Sequence, residues 1–123
     1  MGVRFIKVSV LYFVIRVGFG MYMGFGNQFA FSSAHAHINL LGWVSLALSG
    51  VIYQLFSLAG ENKLAVIHFW LQMIGVPLLT FAMVLFGLGK FDIGGPLSGI
   101  GGILVFAGVI VFAINIFKNV KVN

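Results

Sequence analysis

Two histidines stand one residue apart at the start of a long apolar run, in the stretch SAHAHINLLGW of residues 33–43. A neutral imidazole is a common ligand for transition metals. In an α-helix, side chains two positions apart point about 200° apart, so His35 and His37 face nearly opposite sides. The spacing therefore predicts that the two rings have two different partners and do not share one metal ion.

The elements that position these histidines are membrane-spanning by composition. The chain has 123 residues, of which 61% are hydrophobic and 7% are charged, too few charges to cover a soluble core. Four apolar segments, at about 6–26, 32–58, 65–88 and 96–117, each approach or exceed the ~20 residues that cross a bilayer. We expect an all-α integral membrane four-helix bundle that forms a single domain over residues 1–123.

The cations that give the net charge of +5 lie near the ends of the apolar segments. We interpret them as setting the orientation of the helices in the membrane and not as a sign of a nucleic-acid partner. Four helices place both termini and the second break on one side, while the other side has only Lys90. That first side carries Arg4, Lys7, Lys63, Lys118 and Lys121. The asymmetry predicts that the termini are cytoplasmic. We expect a multi-pass protein of the inner membrane of a prokaryotic cell.

The third histidine, His68, opens the third segment and is expected at the opposite membrane face. At ~1.5 Å per residue it lies roughly 30 Å in depth from His35 and His37, too far for a shared centre. We interpret His68 as structural or interfacial. The chain has no cysteine, so metal ligands must be histidine, methionine or carboxylate.

Small and polar residues follow His35 along its predicted face, which continues through Asn39, Gly42 and Ser49. Such a surface leaves room for a flat macrocycle. Neutral imidazole is the usual axial ligand of haem iron, and intramembrane polar groups tend to be functional. The pattern fits a haem site with Asn39 and Gly42 beside the ring, and it fits equally well interfacial histidines that only form hydrogen bonds.

Two stretches, AHAHINLLGWVSLALSGVIYQLF and ENKLAVIHFWLQMIGVPLLTF, resemble the tenth and eleventh helices of the catalytic subunit of haem-copper oxidases. The stretch PLSGIGGILVF is more weakly similar to the last helix of that subunit. The family's large subunit has twelve helices in three arcs of four, and this chain resembles the arc of helices nine to twelve. The resemblance implies that three copies assemble into a threefold ring.

The resemblance also implies ligands, because the two histidines of the family's tenth helix bind two different haems. By position, His35 takes the place of the high-spin haem ligand and His37 that of the low-spin ligand. In a homotrimer, His35 of one chain would face His37 of the next across a b-type haem. The expected role is one-electron transfer, with a quinol or a redox protein as partner.

The chain departs from the family at the copper site, because it has no adjacent pair of histidines. Whether it is an oxidoreductase therefore stays open. One alternative is a haem enzyme that binds or reduces oxygen or nitric oxide. Another is a copper-binding or assembly subunit, with three imidazoles on a trimer axis.

Two cations and several small residues complete the prediction. Arg16 falls near the middle of the first helix without an acidic partner in any span, so we expect a buried acceptor such as a haem propionate. Lys90 stands where the family has arginines near the propionates.

A small-residue stripe on the fourth helix, at Gly95, Ser98, Gly99 and Gly102, predicts close helix contact in lipid.

Overall fold

The structure is a computed structural model that describes residues 1–122. Four long helices make up most of it, namely α1 (Gly2–Gly26), α2 (Phe29–Leu55), α3 (Lys63–Gly87) and α4 (Phe91–Asn119). Each is long and apolar enough to cross a membrane. The predicted all-α membrane bundle is confirmed, and the chain is a multi-pass membrane protein.

Short turns set the helix ends close to the predicted breaks, although α2 ends at Leu55 and not at residue 58. Asn27 ends α1 in the left-handed conformation, with φ at 53°, and its N–H donates to the carbonyl of Met23. Asn62 caps α3, because its side-chain oxygen accepts from the N–H of Ala65 at 3.1 Å. A single helical turn at Ser57–Gly60 precedes this cap.

Consecutive helices pack antiparallel. Gly2 of α1 contacts Gly50 of α2, whereas Gly20 of α1 contacts His35 at the start of α2. The bundle therefore has a terminal end, which carries Gly2, Asn119 and the turn between α2 and α3. The opposite end, which carries the start of α2, is called the histidine end below.

The middle of α2 is not α-helical. The helix is α-helical over Ser32–His37 and again over Leu46–Leu55, but Ile38–Ser45 forms a π-helix. In a π-helix each N–H bonds to the carbonyl five residues earlier, which widens the turn. The hydroxyl of Ser45 follows the same spacing and donates to the carbonyl of Leu40 at 2.7 Å. Such segments are frequent at functional sites, and this one begins directly after His37.

The π segment changes which residues share a face of α2. Gly42 packs against Tyr12 and Gly50 packs against Ile6, so both face α1. Ser49 instead lines a cavity with residues of α3 and α4. The prediction that Ser49 continues the face below His35 was wrong, because it assumed 3.6 residues per turn throughout.

Helix α4 approaches α3 closely through glycines spaced seven residues apart. A Cβ on Gly101 would lie 2.6 Å from the backbone nitrogen of Leu79, and a Cβ on Gly94 would lie 2.9 Å from the ring of Phe86. Gly108 packs in the same way. The predicted stripe does not make this contact within the chain, because a Cβ on three of its members would meet nothing within 4 Å; these are Gly95, Gly99 and Gly102.

Candidate functional site

The two adjacent histidines of α2 point in different directions. His35 faces α1, where its Nε2 lies 3.0 Å from the position that a Cβ on Gly20 would take. Its ring is 6.3 Å from that of Phe19, also on α1. His37 instead lines an open groove of about 230 Å³ with Ala36, Leu40 and Leu41. Both imidazoles are half-buried.

The hydrogen bond of His37 fixes the tautomer of its ring. Its Nδ1 lies 2.7 Å from the carbonyl oxygen of Ser33, one turn earlier in α2. A carbonyl only accepts, so Nδ1 carries the proton and donates it. The lone pair of the neutral ring is then on Nε2, which is the usual arrangement of a metal-ligating histidine. His37 therefore fits the role of an axial ligand as it stands.

His35 fits that role only after a rotation of its side chain. With Nε2 directed at Gly20, the backbone of α1 occupies the space in which an iron would have to lie. Gly20 leaves room for the imidazole itself, since any larger residue would press on the ring. Ligation by His35 requires the imidazole to turn away from α1.

Arg16 faces α2 near these histidines. It lies one turn from both Tyr12 and Gly20 on α1, and these two residues contact α2 at Gly42 and His35. The Nε atom of Arg16 is buried and has no hydrogen-bond partner within residues 1–122. A buried donor without an acceptor costs free energy, so this position suits an acidic or carbonyl group supplied from outside the chain.

The remaining predicted residues lie at the same end of the bundle. Asn39 is half-buried in the π segment, and the space beside Gly42 is filled by the Tyr12 ring. Lys90 is exposed and precedes α4. Its loop is at the histidine end, because Gly87 packs on Phe31 just before α2 becomes α-helical.

Replacing Gly42 by alanine should loosen the contact between α1 and α2, because the new Cβ would lie 2.5 Å from the ring of Tyr12. Overpacking of this kind costs roughly 1–3 kcal/mol, so we expect a lower thermal midpoint in detergent. The matched control is Gly24→Ala, where a Cβ meets nothing within 4 Å and the midpoint should not fall. Equal midpoints for both variants would show that α1 does not pack on Gly42.

His68 lies far from this site, in a buried polar cluster at the terminal end. Its Nδ1 is 2.9 Å from the hydroxyl of Tyr53, which also accepts from Nδ2 of Asn115 at 3.3 Å. Asn115 is fully buried and accepts from the side-chain amides of Asn62 and Asn119, each at 2.8 Å. This cluster was not predicted from the sequence. The signal that indicates it is the set of amides and the tyrosine within apolar segments.

No three side chains of histidine, aspartate or glutamate meet as a metal site in the part of the chain that the structure describes. Comparison with protein families, with curated proteins and with solved structures finds no match for this chain.

Proposed function

We propose that the protein is a membrane haem protein for one-electron transfer, with b-type haem held between neighbouring chains by His35 and His37. The observation that carries the proposal is the orientation of His37. Its Nδ1–H is fixed by the carbonyl of Ser33, and its side chain lines an open groove in the lipid-facing surface. The groove is too small for a whole macrocycle, so a second surface must complete the site.

A neighbouring copy of the chain is the proposed second surface. The two histidines lie on different faces of α2, which suits a heterologous interface that closes into a ring. A ring of three follows from the resemblance to one arc of the haem-copper oxidase subunit. The uncovered glycine face of α4, at Gly95, Gly99 and Gly102, supports close packing of a second chain.

The chain's own residues would hold the haem as follows. His37 would supply one nitrogen to the haem iron, and His35 of a neighbouring chain would supply a second after its ring turns away from Gly20. Arg16 offers its free Nε–H to a propionate, and Asn39 and Lys90 lie at the same end as further polar contacts. When bound, haem supplies one-electron chemistry at its iron. With both histidines bound to its iron, the haem would supply electron transfer and would not bind a substrate at the metal.

In the proposed orientation the termini are cytoplasmic, in the inner membrane of a prokaryotic cell. The terminal end carries Arg4, Lys7, Lys63 and Lys118, whereas Lys90 lies at the histidine end. This distribution supports the orientation through the preference of basic residues for the cytoplasmic side. The haem would then lie near the outer face, and its electron partner is a quinol or a redox protein.

One observation favours a second function, in which the haem binds or reduces a gas. If His35 stays against Gly20, an iron held by His37 alone keeps one open coordination position. Whether such a protein is an enzyme depends on that position. A copper-binding or assembly subunit is the remaining alternative.

The visible spectrum of the purified protein tests these proposals together. We expect a Soret band and the sharp bands of six-coordinate haem, unchanged when carbon monoxide is added to the reduced protein. A shift with carbon monoxide would favour gas binding and contradict ligation by both histidines. A spectrum without a Soret band, with copper found by metal analysis, would overturn the haem proposal.

A further inference from the structure

A second site is suggested by a cavity of about 290 Å³ in the half of the bundle towards the terminal end. His68 and Gln72 of α3 line it, together with Ser45 and Ser49 of α2 and with Val109 and Phe112 of α4. Helices α2 and α4 meet below it, where Asn115 bonds to Tyr53, and they separate beside the cavity. The cavity is therefore a wedge between two helices with α3 as its floor.

The mouth of the cavity opens towards lipid. Leu48 and Val109 line it and are 59% and 46% exposed, whereas His68 and Gln72 are 3% and 4% exposed. In a bilayer, exposed apolar residues in the span of a helix face acyl chains. A ligand would have to enter sideways from the membrane, so it must be soluble in lipid.

The floor of the cavity presents one donor and one acceptor. The Tyr53 hydroxyl accepts from Asn115, and we assign its own proton to the bond with Nδ1 of His68. A neutral His68 then carries its ring proton on Nε2, which has no partner within residues 1–122. Gln72 donates its amide to the carbonyl of Val105 at 3.3 Å, which leaves its side-chain oxygen as an acceptor.

The size and charge of the cavity narrow the ligand further. A cavity of about 150 Å³ holds a benzene ring, so one about twice that volume accommodates a substituted ring or a fused pair. None of the residues that line it is charged, which disfavours anionic lipid headgroups. The ring of Phe112 provides a flat apolar wall.

We propose that this cavity binds the headgroup of a membrane-soluble quinone or quinol. A ring oxygen of the quinone accepts from Nε2–H of His68, and a ring hydroxyl of the quinol donates to the side-chain oxygen of Gln72. Binding of the quinone depends only on the cavity. A role of the quinol as electron donor rests on the haem function proposed above.

The test uses decylubiquinone and the tryptophan fluorescence of the purified protein, since Trp43 and Trp70 lie in α2 and α3. We expect saturable quenching that decanol, an alkyl chain without the ring, does not displace. Val109→Phe should fill the mouth and weaken binding about tenfold, a loss of ~1.4 kcal/mol. The matched control Ile110→Phe lies next to it at 45% exposure, outside the cavity lining, and should leave affinity within about twofold.

Equal effects of the two phenylalanine variants, non-saturable quenching, or displacement by decanol would each overturn the proposal. The last result would assign the cavity to acyl chains. The variant His37→Gly separates this site from the haem site. Loss of haem with unchanged decylubiquinone affinity supports two separate sites, whereas loss of affinity in this variant would contradict a site built on His68 and Gln72.

Discussion

Replacing His37 by glycine should remove haem from the protein without unfolding it. The side chain is half-buried, and its hydrogen bond is to Ser33 in its own helix, so no contact between helices depends on that bond. A glycine inside a helix costs only about 1 kcal/mol. The Soret absorbance should fall to background while the helical circular dichroism stays at the wild-type level.

Added imidazole should restore the Soret band in this variant, because it supplies the missing nitrogen in the space that the side chain leaves. Pyrrole is the matched chemical control, since it has the same ring size but no basic lone pair, and it should not restore the band. A His37→Gly protein that keeps wild-type haem content would exclude His37 as a ligand. If both compounds restored the band, they would be filling the space left by the side chain without coordinating the iron.

Mixing two variants that each lack haem should restore part of the haem if each iron is held by two chains. His35→Ala and His37→Ala should each lose haem as homo-oligomers, because every interface then lacks one nitrogen. In a ring of three, a mixed assembly has one interface that keeps both histidines. Random mixing in equal amounts should therefore recover about a quarter of the wild-type haem.

Two controls define this mixing experiment. The double variant His35→Ala with His37→Ala, mixed with either single variant, should recover none, since no interface can then hold both residues. Co-expression with two affinity tags would verify that mixed assemblies form. Partial haem loss in each single variant, with no gain on mixing, would show that the two histidines act in separate sites.

The large features of the fold could be predicted because each depends on composition over about twenty residues. The four spans follow from hydropathy, and their ends lie near Asn27, Asn62 and Gly89, which carry turn chemistry. Helix α1 begins earlier than predicted, at Gly2, because the exposed side chains of Arg4 and Lys7 are accommodated within its first turns. The expected positions of the termini and the expected trimer remain predictions.

The finer features depend on contacts that one sequence does not specify. Glycine pairs at 94–95 and 101–102 make two faces of α4 equally suitable for packing, and only the fold selects Gly94 and Gly101. The cavity arises where α2 and α4 separate above the bond between Asn115 and Tyr53. No local pattern along either helix encodes such a separation.

The prediction that the two histidines point to different sides of α2 depended only on a short stretch of α-helix. Regular helical geometry therefore applied to it directly. His35 and His37 both lie within the α-helical turn Ser32–His37, before the π segment begins. Their relative angle is therefore unaffected by the wider turns that follow. Ser49, which lies beyond the π segment, was assigned to the wrong face for that reason. Gly42 does face α1, as His35 does.

The π segment lies between the two candidate sites. It sets the angle about the helix axis between the residues of one site and those of the other. A segment with five-residue hydrogen bonds contains more residues per turn than an α-helix, so deleting one residue there would let α2 revert to α geometry. Forming regular α-helix over the same residues, without a deletion, would instead rotate the histidine end against the serines that line the cavity, because each residue turns an α-helix by about 100° and a π-helix by less. Backbone pairing in Ile38–Ser45, and no single side chain, thus determines which neighbours the ligands at the two ends of α2 can reach.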